Sequence, residues 1–304
     1  MTTTSHPTSF RPAGARPGRA VAFMLLAAFL IAVSTFCAKL LGTDLLGDPL
    51  HPIQVTHGRF AFALLAIGGV AVLRGHLPST MQLPLHLART LCGATGVTLM
   101  FAAVAMIPLA DATAISFLNP VFAMVLAIFI LGEKVGPWRW GAATVAFFGT
   151  VILLRPGLGV FEIGAFLALA AALALGLEIT IIKRLSGREP ALNILLINNL
   201  IGFTLASAAV LFVWSPPTLT QLGALAGVGL FMAGAQTCYV NALARAEASF
   251  VVPFSYATLI FAAGLDYLVF RALPGPFTVL GSALIIGAGI VLAWREGRPQ
   301  ALRR

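Results

Sequence analysis

Four charged side chains lie inside long apolar stretches of this sequence: Lys39, Arg59, Glu178 and Asp266. A charge in such surroundings is costly, so it either pairs with an opposite charge or faces a polar cavity. The chemistry open to these groups is therefore ion pairing, the binding of a charged solute and the transfer of protons. They are the first candidates for a functional site.

Arg59 is the most informative of the four because it lies about eight residues into its apolar stretch. Two interpretations stay open: the guanidinium pairs with Asp266, or it binds a substrate carboxylate through two parallel hydrogen bonds. Both hold if the ion pair opens on binding. His57 is a further candidate for substrate binding, although a helix turns it about 100 degrees or more away from Arg59.

The two acidic residues are candidates for ion coupling. Glu178 lies in the inner third of its stretch, where it either carries a proton or pairs with Lys183 or Arg184. Asp266 lies in the outer third of a later stretch and is the expected partner of Arg59 if that arginine is paired. Lys39 lies near the end of the first stretch, and we expect its long side chain to reach the lipid headgroups.

Neutral polar and aromatic side chains at comparable depth complete the predicted substrate site. Each amide has a simpler interpretation, a hydrogen bond to a neighbouring helix, but their concentration favours a shared polar cavity. The residues are Phe101, Asn119, Asn198, Asn199, Gln236, Tyr239, Asn241 and Tyr256. Pro120 and Pro253 interrupt helical hydrogen bonding, and the carbonyl groups they free are expected to line the same cavity.

Ten apolar runs must position these side chains. Each is about 20 residues long, enough for a helix to cross a bilayer, and proline or tryptophan lies at many of the run ends. The runs cover residues 21–41, 52–73, 88–107, 111–131, 138–154, 161–183, 191–214, 219–242, 249–270 and 275–294. The predicted fold is therefore an all-α integral membrane protein with ten transmembrane helices.

The composition excludes most other classes of protein. The chain has 304 residues, of which 59% are hydrophobic and only 10% are charged, whereas a soluble domain carries about 25% charged residues. This excludes a soluble enzyme, a nucleic-acid-binding domain and a disulfide-rich secreted protein. Cys37, Cys92 and Cys238 lie too far apart for a metal site or a disulfide framework, and we expect neither metal nor cofactor.

The basic residues predict the orientation, because Lys and Arg are retained on the cytoplasmic side. With the N-terminus inside, the inner segments hold 15 of the 19 Lys and Arg residues, and the outer segments hold only Arg155 and Arg271. Both termini are therefore predicted in the cytoplasm, with the chain in the inner (plasma) membrane. The net charge of +9 reflects this bias, and no nucleic-acid partner is expected.

The sequence also repeats weakly. The stretch GPWRWGAATVAFFGTVILLR, from Gly136 to Arg155, aligns with GPFTVLGSALIIGAGIVLAWR, from Gly275 to Arg295, when one residue is inserted. Each half then contains five helices, so the second half begins on the opposite side of the membrane. Inverted repeats of this kind build one central cavity in secondary transporters.

Two segments, Ala110–Ala142 and Ala246–Glu296, resemble the two EamA repeats of the drug/metabolite transporter superfamily. The resemblance covers most of the chain and implies ten helices, both termini inside, and the export or uptake of small metabolites. The corresponding division is a disordered cytoplasmic tail over 1–19, a first repeat over 20–156, a second repeat over 157–295 and a basic cytoplasmic tail over 296–304.

The expected function is therefore an alternating-access transporter of small metabolites, either secondary active or facilitative. Arg59 favours amino acids or other carboxylates, and we expect export; uptake of a vitamin, nucleoside or cofactor is the alternative. The sequence lacks the Gly-x-x-x-x-Gly-Lys-Ser/Thr loop that binds ATP. The expected partners are a small-molecule substrate and the lipid bilayer, with the chain a monomer or a dimer.

An intramembrane enzyme and a channel are the two other classes of function that such a sequence could serve. An intramembrane enzyme needs a nucleophile with its base, for which only His57 with Ser34 or Ser255 offers itself, without a surrounding motif. A channel would usually be assembled from several subunits around a pore. We therefore expect the chain not to be an enzyme.

Overall fold

A computed structural model describes residues 17–75, 82–131, 136–154, 163–185, 190–243, 245 and 252–296. These residues are helical apart from short connections, and no β-strand occurs among them. The helices are α1 (Pro17–Leu41), α2 (Pro52–Leu73), α3 (Leu83–Met106), α4 (Leu109–Ser116), α5 (Asn119–Leu131), α6 (Pro137–Leu154), α7 (Ile163–Leu185), α8 (Ala191–Val210), α9 (Leu219–Leu243), α10 (Ala257–Phe270) and α11 (Pro276–Glu296). Short 3₁₀ turns occupy Asp44–Leu46 and Val252–Tyr256.

The helix boundaries follow local chemistry. Proline is the first residue of α1, α2, α6 and α11, where its missing N–H costs nothing and its fixed φ suits a helix start. Helix α10 ends at Phe270 and is capped by Arg271, whose φ of 54° is left-handed and whose N–H donates to the carbonyl oxygen of Tyr267. The predicted runs are therefore bounded by residues that stop or start helices.

Seven helical segments of the described chain are long and apolar enough to cross a membrane, and α4 and α5 together form one of them. Three shorter apolar helices cover Trp140–Ile152, Phe254–Phe270 and Pro276–Val291. Large apolar side chains are also exposed, with Phe129 80% and Leu65 70% accessible. Such an apolar exterior suits lipid rather than water.

The structure corrects two predicted boundaries and contains the two predicted helix breaks. Helix α1 begins at Pro17, so the last residues of the predicted 1–19 tail are helical, while 1–16 and 297–304 lie outside the described residues. Helix α3 begins at Leu83, five positions before the predicted run. A turn at Phe117–Leu118 divides the fourth run into α4 and α5, immediately before Pro120, and a 3₁₀ turn surrounds Pro253. The predicted breaks at the two prolines are thus confirmed.

The helices pack mainly with partners distant in sequence. Helix α1 packs on α9, α3 on α7, α6 on α11, and α2 on both α8 and α9. Several of these contacts depend on glycine: a Cβ at Gly202 on α8 would meet the Phe60 ring, and one at Gly229 on α9 would lie 2.6 Å from the Cβ of Phe62. This close packing brings α2, α3, α7 and α8 together around the most polar part of the interior.

Candidate functional site

The polar interior is centred on three charged side chains, Arg59 of α2, Arg89 of α3 and Glu178 of α7, which we call the arginine cluster. Nε of Arg89 lies 3.4 Å from Oε1 of Glu178. That separation is an ion pair but not a well-formed hydrogen bond, and Nε has no hydrogen-bond acceptor among the described residues. Nη1 of Arg89 donates to the carbonyl oxygen of Ile194 on α8 at 3.2 Å.

A glycine on α3 makes room for the carboxylate. Gly93 lies one turn after Arg89, and a Cβ on it would lie 2.8 Å from the carboxyl carbon of Glu178. Gly96, one turn further on, makes room for the side chain of Leu175, because a Cβ at Gly96 would lie 2.8 Å from Cγ of Leu175. The spacing of Arg89, Gly93 and Gly96 therefore gives α3 one face that is both narrow and charged, and α7 packs against it.

Arg59 is the least compensated member of the cluster. Its side chain is 6% exposed, and its Nε has no hydrogen-bond acceptor within the described part of the chain. The guanidinium carbon lies 4.6 Å from the centroid of the Phe60 ring, and the group interacts electrostatically with both Glu178 and Arg89. Two guanidinium groups and one carboxylate leave these three groups with a net charge of +1 inside the protein.

Neutral donors and acceptors lie next to the cluster on α3 and α8. Oγ1 of Thr90 donates to Oδ1 of Asn198 at 3.1 Å. Nδ2 of Asn199 donates to the carbonyl oxygen of Leu195, while its Oδ1 is buried without a hydrogen-bond partner among the described residues. The arrangement can bind an anion that brings polar groups of its own, because a buried positive charge is stabilised by a close counter-charge.

We predict that Gly93→Ala destabilises the protein, because the added methyl group must push the Glu178 carboxyl away from Arg89. The expected loss is about 1–3 kcal/mol in the free energy of unfolding, seen as a lower midpoint of thermal unfolding in detergent. Gly69→Ala on α2 is the matched control, since its Cβ would meet nothing within 4 Å. It should raise the midpoint slightly, because alanine favours helix more than glycine does. Equal midpoints for the two variants would contradict the packing described above.

Asp266 does not pair with Arg59, and this expectation was wrong. Its two carboxylate oxygens accept from Nζ of Lys39 at 2.8 and 2.9 Å, and Oδ2 also accepts from the backbone N–H of Leu109 at 2.5 Å. Lys39 is 7% exposed, so the prediction that it reaches the headgroups was also wrong. The carboxylate both neutralises the ammonium and caps the start of α4, where the helix dipole favours a negative charge.

His57 and Phe101 contact residues outside the arginine cluster. Nε2 of His57 lies 3.1 Å from Oγ of Ser207, and its ring stacks on Phe203 at 5.3 Å between centroids. His57 is thus paired with Ser207 instead of Ser34 or Ser255, the partners expected for an enzyme. Phe101 is 4% exposed in an apolar core of α1, α2, α3 and α9, and it also lines a separate cavity of about 340 Å³.

The remaining predicted residues are spread over other parts of the molecule. Asn119 is the first residue of α5, and its carbonyl oxygen would lie 2.9 Å from a Cβ at Gly176. Tyr256 meets the Phe117 ring edge-on, with 4.9 Å between centroids. Oε1 of Gln236 on α9 is buried without a hydrogen-bond partner among the described residues. Of the predicted amides, Asn198 is joined through Thr90 to the helix that carries Arg89, whereas Asn199 bonds only to its own helix. No side-chain contact within the described residues joins Asn119, Tyr256 or Gln236 to the cluster.

Tyr239 and Asn241 lie near the end of α9. Tyr239 packs with the apolar side chains of Ala20 and Met24 on α1. Oδ1 of Asn241 accepts from Nη1 of Arg245 at 2.7 Å, and its Nδ2 donates to the carbonyl oxygen of its own helix four residues back. These contacts give both residues structural roles at the junction of α1 and α9.

A model of the EamA-like transporter family matches residues 18–155 and 162–294. The chain belongs to this family. It is 33% identical to a riboflavin transporter of Rhizobium johnstonii, over 79% of this chain and 78% of the relative. It is 26% identical to an S-adenosylmethionine uptake transporter of Rickettsia bellii, over 88% and 92% of the two chains. It is 27% identical to a pseudopaline exporter of Pseudomonas aeruginosa, over 76% and 80%.

A solved crystal structure shares the fold of this EamA-like chain, with a TM-score of 0.64 and 20% identity over 93% of this chain and 99% of the other. The family and the names of the relatives indicate a multi-pass membrane transporter of small molecules rather than an enzyme. Within the described residues, no three His, Cys, Asp or Glu side chains are grouped to hold a metal ion. The predicted resemblance is confirmed.

Sequence reasoning missed Arg89 of this EamA-like protein. It lies at the start of the predicted run 88–107, and it is one of the 15 basic residues assigned to the cytoplasmic side. Proline at position 84 offered the missing signal, since a proline in the first turn moves the helix start back to Leu83 and leaves Arg89 almost two turns inside. Arg89 is 5% exposed in the structure and forms the pair with Glu178.

Proposed function

We propose that this protein is an alternating-access carrier of small metabolites that bear a carboxylate, and that the arginine cluster binds this group. The observation that carries the proposal is the net positive charge of Arg59, Arg89 and Glu178 at a buried contact of four helices. A charged side chain inside a membrane protein is costly, so it usually pairs with an opposite charge or takes part in the function of the protein. One monovalent anion compensates this cluster, and Arg59 offers it an Nε that has no acceptor within the described residues.

The proposed architecture has ten transmembrane helices in two inverted repeats, over 20–156 and 157–295. The packing supports this architecture. In two five-helix repeats, α7 is the counterpart of α1 and α9 is the counterpart of α3. The contact of α1 with α9 is then equivalent to the contact of α7 with α3, and both contacts are extensive. The contacts of α2 with α8 and of α6 with α11 each join corresponding helices. The two blocks of the family match fall on the same two halves.

The proposed location is the inner membrane with both termini in the cytoplasm, as the basic residues favour. Single cysteines introduced near each end of the chain, in a variant without its three native cysteines, test this orientation. An impermeant maleimide added to intact cells should leave both unlabelled and should label both after lysis. Labelling of either end in intact cells would contradict the topology.

The function is tested by counterflow in proteoliposomes. Vesicles loaded with a pool of unlabelled amino acids and dicarboxylates are diluted into trace amounts of each labelled compound, and retained label is measured over time. A carrier should show saturable, transient accumulation of at least one carboxylate and none of its amide or ester analogue. Accumulation of uncharged compounds only would contradict the proposed substrate class while leaving the carrier assignment intact.

Export is the proposed direction, and uptake is the second candidate because relatives are named for each. Cells that overproduce the protein should release the identified substrate faster and tolerate more of it. Faster accumulation from the medium would select uptake. The same counterflow substrate serves both measurements, so direction is decided separately from substrate class.

For ion coupling we propose Glu178, with Asp266 less favoured because its carboxylate is already held by Lys39 and the N–H of Leu109. Glu178→Gln is expected to abolish accumulation into vesicles that are acidic inside, the gradient that drives a proton-coupled exporter, while counterflow per molecule of folded protein stays within about threefold of the wild type. The reason is that exchange needs no net proton movement, whereas a glutamine cannot carry a proton. Gradient-driven accumulation that survives in Glu178→Gln would remove Glu178 from the coupling mechanism.

A further inference from the structure

A second cationic site lies at the junction of α1 and α9, away from the arginine cluster. The first turns of α1 and Arg245, which follows α9, border a cavity of about 330 Å³. Its described lining is Arg19, Ala22, Phe23, Leu26 and Arg245. Two of these five side chains are guanidinium groups, three are apolar and none is acidic.

Arg245 is held in place at this cavity by its neighbours. Its Nη1 donates to both the carbonyl oxygen and Oδ1 of Asn241, each at 2.7 Å. Its guanidinium carbon lies 4.7 Å from the centroid of the Phe23 ring. These contacts occupy Nη1 and one face of the Arg245 guanidinium. A guanidinium carries five N–H donors on three nitrogens, so Nε and Nη2 provide further donors. The side chain is thus oriented in advance for a partner that the other donors can bind.

Two like charges facing one cavity repel each other, and an anion placed between them turns the repulsion into attraction. Phosphate is suited to this position because guanidinium groups bind its oxygens through paired, charge-assisted hydrogen bonds. Arg19 is exposed and Arg245 is partly buried, so an anion can enter from outside the protein.

The apolar part of the cavity continues along the surface of α1. Ala22 and Leu26 follow Arg19 at intervals of three and four residues, which keeps them near the same helix face. Leu26 is 46% exposed and Phe29, three residues further on, is 41% exposed. The strip therefore runs about 15 Å from the arginines toward the middle of the bilayer. A soluble anion would leave this strip unused, whereas an acyl chain would cover it.

We propose that this cavity binds an anionic phospholipid, with its phosphate between Arg19 and Arg245 and one acyl chain along Leu26 and Phe29. In the proposed topology this end of α1 and α9 faces the cytoplasm, the side on which basic pockets between helices meet anionic headgroups. The lipid would fix the start of α1 to the end of α9 and so join the two halves of the chain at one membrane surface.

Native mass spectrometry of the purified, delipidated full-length protein tests this site. The protein is titrated with phosphatidylglycerol or with phosphatidylcholine of the same acyl chains. The wild type should bind one phosphatidylglycerol at least about tenfold more tightly than phosphatidylcholine, and Arg19→Gln/Arg245→Gln should lose this preference, as expected for lost charge-assisted bonds. Arg74→Gln, at an exposed arginine after α2, is the matched control and should bind like the wild type.

Each other outcome would overturn the proposal. Equal binding of the two lipids by the wild type would show that charge does not select the ligand, and unchanged binding in the double variant would place the lipid elsewhere. Displacement of the lipid by glycerol 3-phosphate at equal concentration would assign the cavity to a soluble anion. If the double variant does not fold, Arg19→Gln alone decides the outcome, because this exposed side chain can change without disturbing the bonds of Arg245.

Discussion

Carboxylate counterflow is expected to fall about 100-fold or more when Arg59 is replaced by alanine, because a buried bidentate guanidinium–carboxylate interaction is lost at its binding step. The measurement is the initial rate of labelled carboxylate uptake into proteoliposomes, per molecule of inserted protein. Arg59→Lys should recover only part of the rate, since an ammonium group provides the charge but not the paired geometry.

The Arg59→Ala protein should still insert and fold, which separates a binding defect from a structural one. Without Arg59, the cluster retains the Arg89–Glu178 pair, whose charges cancel. The midpoint of thermal unfolding should therefore stay within a few degrees of the wild type. Arg74→Ala, outside the cluster, should leave flux unchanged. Wild-type flux in Arg59→Ala would exclude Arg59 from the substrate site.

The largest effect on stability is expected from Lys39→Met. The change leaves the carboxylate of Asp266, which is 1% exposed, without its counter-ion. Breaking one side of a buried ion pair costs about 3–5 kcal/mol. The expected result is a markedly lower unfolding midpoint in detergent and less protein recovered from membranes, with residual flux roughly in proportion to the folded fraction.

A second change should repair most of this damage. Lys39→Met/Asp266→Asn removes both charges and keeps an amide oxygen that can accept from the N–H of Leu109. The double variant should be more stable than Lys39→Met alone, because no unpaired charge remains buried. Arg271→Ala, at an exposed cation after α10, is the control and should change the midpoint little. A double variant as unstable as the single one would show that the pair does not act as a unit.

Sequence patterns predicted the helices well because the signal for a buried helix is local. Runs of about 20 apolar residues and prolines at their starts depend only on nearby positions. The same local signal identified Arg59 as a charge inside a helix, and the structure buries it. The prolines at positions 120 and 253 likewise marked the two breaks that the structure contains.

Charge pairing could not be predicted in the same way. Lys39 and Asp266 are 227 positions apart, and one sequence does not show that α1 meets α10. The two interpretations of Glu178 were a proton carrier and a pair with Lys183 or Arg184, whose side chains lie outside the described residues. Sequence did not suggest Arg89 on α3, with which the structure pairs it. The partner of a buried charge depends on which helices touch, and that is decided by shape at small residues such as Gly93 rather than by charge.

The packing of α1 on α9 and of α3 on α7 has a consequence for how the molecule is assembled. Each of these tight pairs takes one helix from the first 155 residues and the other from the remainder. Helices of the two halves are therefore interleaved in the folded protein. A polypeptide containing either half alone would expose glycine-lined grooves shaped for absent partners. Two half-length chains made in the same cell should accordingly find each other and reconstitute the whole without a peptide link.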